Sequence, residues 1–280
     1  MQIIFHLILI SILMFSGAAY ADGEAAAMAR AHADDVPVAT PVASTEPVLP
    51  VESREIEYGQ QGGEALTGFL AMPAGGADDL PAVIVIHEWW GLNDNIRRVT
   101  ERLAGEGYRA LAVDLYRGEV APDPKTAMRL SSGLRKQGEQ TDDNLLQAYA
   151  FLNDGGAPRV GVIGWCLGGR WSLRTALLLP DQVDATVIYY GSLVTDPEQL
   201  KTLQMPVLGN FGGADPIIPQ KDIQAFEGAL RDLGKQVDVK VYPGAKHAFS
   251  NPSGTAYDAP AAEDAWARSR AFLAANLKQP

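Results

Sequence analysis

The sequence predicts a single α/β domain: a mostly parallel central sheet covered by helices on both faces. Two continuous runs rich in apolar residues, at 82–87 and 185–190, have the pattern of strands buried on both sides. Stretches with an amphipathic helical period alternate with these and other strand-like runs, and that alternation favours right-handed crossovers between parallel strands. In such sheets chemistry gathers at the carboxyl ends of the strands, and several strand ends here run into short segments rich in Gly, Pro and ionisable side chains.

Taken in order, residues 1–21 contain no Lys, Arg, Asp or Glu and combine an apolar core with the small-residue stretch Gly17-Ala18-Ala19-Tyr20-Ala21. They are read as a secretory signal peptide cleaved after Ala21, so the mature chain is expected to be exported, periplasmic or secreted. An uncleaved anchor is the alternative, although the apolar core is short for spanning hydrocarbon. Residues 22–51 are rich in Ala, Pro, Val, Asp and Glu without a sustained period, and are read as a disordered linker. A helical turn at 28–33 is the one local feature expected there. Residues 52–280 form the folded domain.

Within that domain, 55–58 and 66–72 are expected to pair as an antiparallel edge hairpin across the turn material of 59–63. The strand at 82–87 ends in His87-Glu88-Trp89-Trp90-Gly91. Asp94 is expected to cap a helix to about Glu106, with Ile96, Val99 and Leu103 on its apolar face and Gly107 closing it. A strand at 108–114 precedes two helices, 125–136 and 142–153, separated near Gly138. Then come a strand over 160–163, a helix over 167–179, a strand at 185–190 and another at 206–211. A helix at 219–233, a strand at 237–242 and a closing amphipathic helix at 261–276 complete the chain.

The most informative stretch is Arg159 to Arg170, R-V-G-V-I-G-W-C-L-G-G-R, where a strand turns abruptly into a helix. Cys166, the single cysteine, has Gly164 and Gly168 two residues to either side. This is the spacing of a nucleophile elbow, with cysteine in place of serine. Glycines are needed there because side chains flanking a nucleophile on so sharp a turn would collide. A buried structural cysteine is the plainer alternative. Yet one cysteine cannot form an intramolecular disulfide, and an exported chain that keeps a thiol outside any disulfide carries a hazard that a function would explain.

Two partners for the thiol follow in the chain. Asp215 lies after the strand at 206–211 between Gly212-Gly213-Ala214 and Pro216; His247 follows the last strand in Pro243-Gly244-Ala245-Lys246-His247. Nucleophile, acid, histidine is the order associated with the α/β-hydrolase fold. His6 falls in the signal and His32 in the linker, so the base is either His87 or His247. His87, at the end of a buried strand, is better read as a hydrogen-bonded structural residue. Asp215 has an Asx-turn alternative, but an imidazole base needs a third group to orient it. The N-terminus of the helix beginning at Leu167 favours a thiolate. The backbone N–H groups of Leu167 and Trp89 are the expected oxyanion donors.

The motifs H-E-W-W-G-L-N, G-W-C-L-G-G, G-G-A-D and P-G-A-K-H-A-F, in this order over 55–277, resemble the dienelactone hydrolase family. The resemblance implies a monomeric α/β-hydrolase that opens a lactone or small carboxylic ester through a cysteine acyl-enzyme, with a Cys166–His247–Asp215 triad and no cofactor. It also implies that Glu88 holds the resting thiol and helps to activate it. Substrate contacts are expected from Trp90 and from Arg129 or Arg135, between which spacing does not choose. Asn251 stands where best-known members place a substrate-binding arginine, which argues against dienelactone itself as the substrate.

The net charge of −11 argues against nucleic acid and anionic membranes as partners. No H-E-x-x-H is present, since position 91 is glycine, and there is no C-x-x-C pair, Walker sequence or G-x-G-x-x-G opening a nucleotide site. A metal or organic cofactor is therefore not expected. A hydrolase-like binding module without turnover is the alternative function, because fold alone does not establish activity.

Overall fold

The computed structural model describes residues 27–37, 46–76 and 79–278. The predicted signal lies outside these residues, as do parts of the predicted linker. Among the described residues, one eight-stranded sheet has the order β1-β2-β4-β3-β5-β6-β7-β8. β1 (Val51–Gln61) and β2 (Glu64–Pro73) form the expected antiparallel hairpin, and β2 pairs antiparallel with β4 (Arg109–Val113). From β4 onward the neighbours are parallel: β3 (Ala82–Ile86), β5 (Val160–Trp165), β6 (Ala185–Tyr189), β7 (Val207–Gly212) and β8 (Val237–Tyr242).

The strand pleat divides the core in two. In β3, Ala82, Ile84 and Ile86 point into one apolar layer, while Val83 and Val85 point into the other. Every one of these five residues is buried, which explains an uninterrupted apolar run instead of an alternating one. One layer is covered by α3 (Pro124–Lys136), α4 (Gly138–Asp154), α5 (Leu167–Leu178) and α7 (Gln220–Asp232), which contribute Leu130, Leu145, Trp171 and Phe226. The other is covered by α2 (Asp94–Gly105) and α8 (Ala259–Leu277) through Ile96, Leu103, Leu273 and Leu277. The short α6 (Pro197–Leu200) was not expected; its four residues are too few to show a period. No helix of the described residues is long and apolar enough to cross a membrane.

Several boundaries differ from expectation for identifiable reasons. The cap of α2 is Asn93, whose Oδ1 accepts the Ile96 N–H at 3.2 Å; Asp94 instead lies in the first turn, where a carboxylate also suits the helix dipole. β1 is longer than the expected 55–58, because its largely exposed, charged side chains hide the strand's period while the backbone pairs along all of β2.

The largest departure is at the N-terminal side. Residues 27–37, within the segment expected to be a disordered linker, contain a helical turn, α1, at 27–31 and pack against the domain. His32 and Asp35 are buried there at 2% and 7% exposure. Low apolar content predicts disorder only while a segment lacks a surface to dock on, and here polar anchors supply the docking.

Candidate active site

Cys166 sits between β5 and α5 with φ 54° and ψ −113°, a backbone conformation that L residues rarely adopt. Such strain costs on the order of 1–3 kcal/mol and persists only where the surroundings enforce it. The flanking glycines show the enforcement. A Cβ on Gly164 would run into the backbone of Gly168, and one on Gly168 would strike the carbonyls of Ile86 and His87. α5 therefore packs directly on the end of β3. Cys166 occupies the N-cap position yet makes no side-chain cap bond, so its sulfur is not spent on the helix.

The sulfur lies 3.2 Å from His247 Nε2, and His247 Nδ1 lies 2.8 Å from Asp215 Oδ2. Both side chains of the His247–Asp215 pair are essentially fully buried. The other carboxylate oxygen, Asp215 Oδ1, accepts the N–H groups of Ile217 at 2.7 Å and Ile218 at 3.1 Å. Asp215 thus closes its own turn with one oxygen and faces the imidazole with the other. The two loops meet because Gly212 and Gly213 let them: Ala214 N–H donates to the Ala245 carbonyl at 2.9 Å, and a Cβ on Gly212 would collide with that same carbonyl.

Glu88 is 8% exposed, and its carboxylate accepts hydrogen bonds from Tyr190 Oη at 3.2 Å and Asn251 Nδ2 at 2.8 Å. These two bonds hold the Glu88 carboxyl in place, and the thiol faces His247. Burial, outweighing the Tyr190 hydrogen bond, raises the Glu88 carboxyl to about 8. Asn251 is therefore a Glu88 partner where the resemblance leads one to expect an arginine. Tyr190, at φ 35° directly after β6, also stacks edge-on to His247 with centroids 5.3 Å apart. Sequence reasoning missed Tyr190, although a tyrosine at the carboxyl end of a central strand carries the same positional signal as Cys166.

A cleft of about 510 Å³ opens at the thiol, lined by Trp89, Met128, Arg135, Tyr190 and Ile218 among others. Arg135 is on this wall, with its guanidinium 3.1 Å from Ser132 Oγ. Arg129 is not: it is exposed and pairs with Glu119 at 2.6 Å. Arg170, not anticipated, also faces the cleft. Trp90 does not line the cleft: it is 1% exposed, packed in the core with its ring edge-on to that of Trp89, centroids 5.0 Å apart, so of the paired tryptophans only Trp89 reaches the cleft wall. His87 behaves as a structural residue: its Nδ1 contacts the Glu88 carbonyl, and its Nε2 accepts the Leu115 N–H at 3.2 Å.

Two residues of the N-terminal segment complete the site. Met28 Sδ lies 3.8 Å from Cys166 Sγ, and the His32 ring packs against Trp89 and edge-on to His247, with centroids 4.9 and 5.8 Å away. Burial lowers the His32 pKa below its ordinary value. No local signal placed these residues here; Asp35, which anchors them, binds a residue 220 positions away.

A parallel sheet carrying a strained cysteine elbow, with an acid and a histidine on later strand ends, defines the α/β-hydrolase class. Within that class the chain belongs to the dienelactone hydrolase family, whose profile it matches over residues 66–277. A Saccharolobus solfataricus protein provisionally named carboxymethylenebutenolidase is 34% identical over 257 residues, covering 79% of this chain and 97% of that one. An Escherichia coli K12 protein with the same provisional name is also 34% identical, over 83% of this chain and 91% of its own. The crystal structure of a provisionally named dienelactone hydrolase from Klebsiella pneumoniae superposes with a TM-score of 0.72 at 31% identity, covering 80% of this chain and 98% of the other. The protein is a hydrolase of lactones or esters.

Proposed function

We propose that hydrolysis proceeds through a thioester on Cys166, with His247 as the proton carrier and Asp215 as the group that orients it. The observation that carries this reading is the continuous chain from sulfur to imidazole to carboxylate, 3.2 and 2.8 Å long, at the mouth of a cleft. His247 Nε2 takes the thiol proton as sulfur attacks the substrate carbonyl; Asp215 keeps the Nδ1 proton in place and stabilises the imidazolium. Charge developing on the carbonyl oxygen is met by the Leu167 and Trp89 N–H groups and by the positive end of α5. His247 then gives its proton to the departing alkoxide, which in a lactone stays tethered to the acyl group. A water, deprotonated by the same imidazole, cleaves the thioester and releases the acid.

Arg135 and Arg170 on the cleft wall support a substrate with an anionic group at some distance from the reacting carbonyl. The charge-free, apolar residues 1–21 support export with removal of this segment. Intact-mass measurement during turnover of a panel of small esters, lactones and thioesters tests the chemistry. The expected result is a mass increase equal to the acyl group, absent in Cys166→Ala, with loss of turnover in that variant. Undiminished turnover by Cys166→Ala overturns the mechanism. A wild-type chain that forms no adduct and turns over no member of the panel returns the choice to a binding module.

A further inference from the structure

The N-terminal segment brings a second histidine and a thioether to the reactive thiol. One side-chain donor atom from each of His32, Cys166 and His247 lies within 4.8 Å of the other two, all three residues being buried. His32 Nδ1 is committed to Asp35 Oδ2 at 2.6 Å, which leaves Nε2, a buried nitrogen with no hydrogen-bond partner among the described residues. A buried nitrogen left without a partner is costly, and a bound ligand would satisfy it. Asp35 is itself fixed by Thr255, whose N–H and Oγ1 reach its Oδ1 at 2.7 and 2.9 Å. Met28 Sδ stands 3.8 Å from the cysteine sulfur.

We infer that Met28, His32, Cys166 and His247 form a binding site for a thiophilic metal ion, and that the ion is copper(I). Two imidazoles, a thiolate and a thioether make a soft donor set, and the thioether separates copper from zinc and from harder cations. Both histidines carry the supporting feature of metal-bound imidazole. Asp35 and Asp215 each hold an Nδ1, so each ring turns its Nε2 toward the cluster. Metal–ligand bonds of about 2.0–2.3 Å place donor atoms roughly 3.5 Å apart, so the cluster contracts by about 1 Å on binding. The sulfur and His247 Nε2 are already at 3.2 Å, and the movement falls to the segment carrying His32 and Met28. Binding exchanges the thiol proton for Cu⁺, releases that proton to solvent and leaves the copper oxidation state unchanged. An occupied site takes both the thiolate and the imidazole lone pair, so metal and ester exclude one another. The site shares Cys166 and His247 with the proposed mechanism, but its existence is read from metal binding and not from turnover.

The test is anaerobic titration of the reduced full-length chain with Cu(I) against a chromophoric Cu(I) chelator, with Zn(II) titrated in parallel. One Cu(I) per chain is expected, with a mixed sulfur and nitrogen shell by X-ray absorption, and Zn(II) is expected to bind more weakly than Cu(I) and to change little in Met28→Ala. His32→Ala and Met28→Ala are each expected to weaken Cu(I) binding at least about tenfold, and Asp35→Ala about tenfold through His32. These residues lie outside the sheet, so the variants keep the folded domain. Wild-type affinity in His32→Ala would overturn the inference, since Cys166 and His247 would then suffice. Equal affinities for Cu(I) in wild type and Met28→Ala would overturn the assignment to copper. If the acyl adduct forms but Cu(I) binding fails, only this inference falls; if Cu(I) binds and no ester is cleaved, only the mechanism does.

Discussion

Glu88 is the residue whose chemistry burial changes most clearly in the site. Its carboxyl, normally near 4.5, is raised to about 8. Between those values the folded chain keeps a proton that the unfolded chain has released, so raising the pH draws the equilibrium toward unfolding. The stability associated with this group is full below about pH 4.5 and is lost as pH rises toward 8, at up to about 1.4 kcal/mol per pH unit. Glu88→Gln removes that dependence. It also sets an amide NH₂ against one of the donors Tyr190 and Asn251, which costs about 1 kcal/mol at low pH. Urea midpoints from pH 5 to 9 are expected to fall for the wild type and to stay comparatively flat for Glu88→Gln, the curves crossing near about pH 5 with the variant the more stable above it. Parallel curves would show that Glu88 titrates normally. At this scale Cys166, Asp215 and His247 were legible because residue type, chain order and flanking glycines all carry information. The roles of Tyr190 and Asn251 were not, because a hydrogen bond to Glu88 across more than one hundred positions leaves no local trace.

The elbow between β5 and α5 shows how an element depends on absent atoms. Gly168 lies against the carbonyls at the end of β3, and α5 owes its close seat on the sheet to that contact. Gly168→Ala is expected to push α5 off β3 and to displace the Cys166 sulfur. The destabilisation should reach the 1–3 kcal/mol typical of overpacking, read as a lowered urea midpoint, with ester turnover falling further than stability alone explains. Normal turnover and stability would mean that the backbone relaxes there at little cost. Strand and helix positions were largely readable, since period and turn residues are local properties. Ends were less so: Asn93 and Asp94 are both competent caps, and only the geometry of the entering chain selects Asn93. The long β1 was hidden because an edge strand needs little apolar content to pair.

For the molecule as a whole, the N-terminal segment extends the catalytic edge of the sheet. Met28 lines the cleft beside the thiol, its sulfur 3.8 Å from that of Cys166. Asp35, through Thr255, holds the segment down. Losing its buried, charge-assisted bonds removes about 1.5–3 kcal/mol of anchoring. Asp35→Ala is therefore expected to raise kcat/KM for esters with bulky acyl groups about tenfold, while acetyl esters change less and residues 27–37 become sensitive to protease. Unchanged selectivity would show that the segment does not shape the cleft. By itself the sequence determined the α/β order of elements, the elbow and the order of nucleophile, acid and histidine, because burial period, turn chemistry and motif spacing are all written along the chain. Only the tertiary structure decided that Arg135 and not Arg129 faces the cleft, that Trp90 is core, that Asn251 serves Glu88, and that His32 and Met28 reach the thiol. Those outcomes depend on which distant surfaces meet, and a contact between remote residues is a property of the packed chain, not of either neighbourhood.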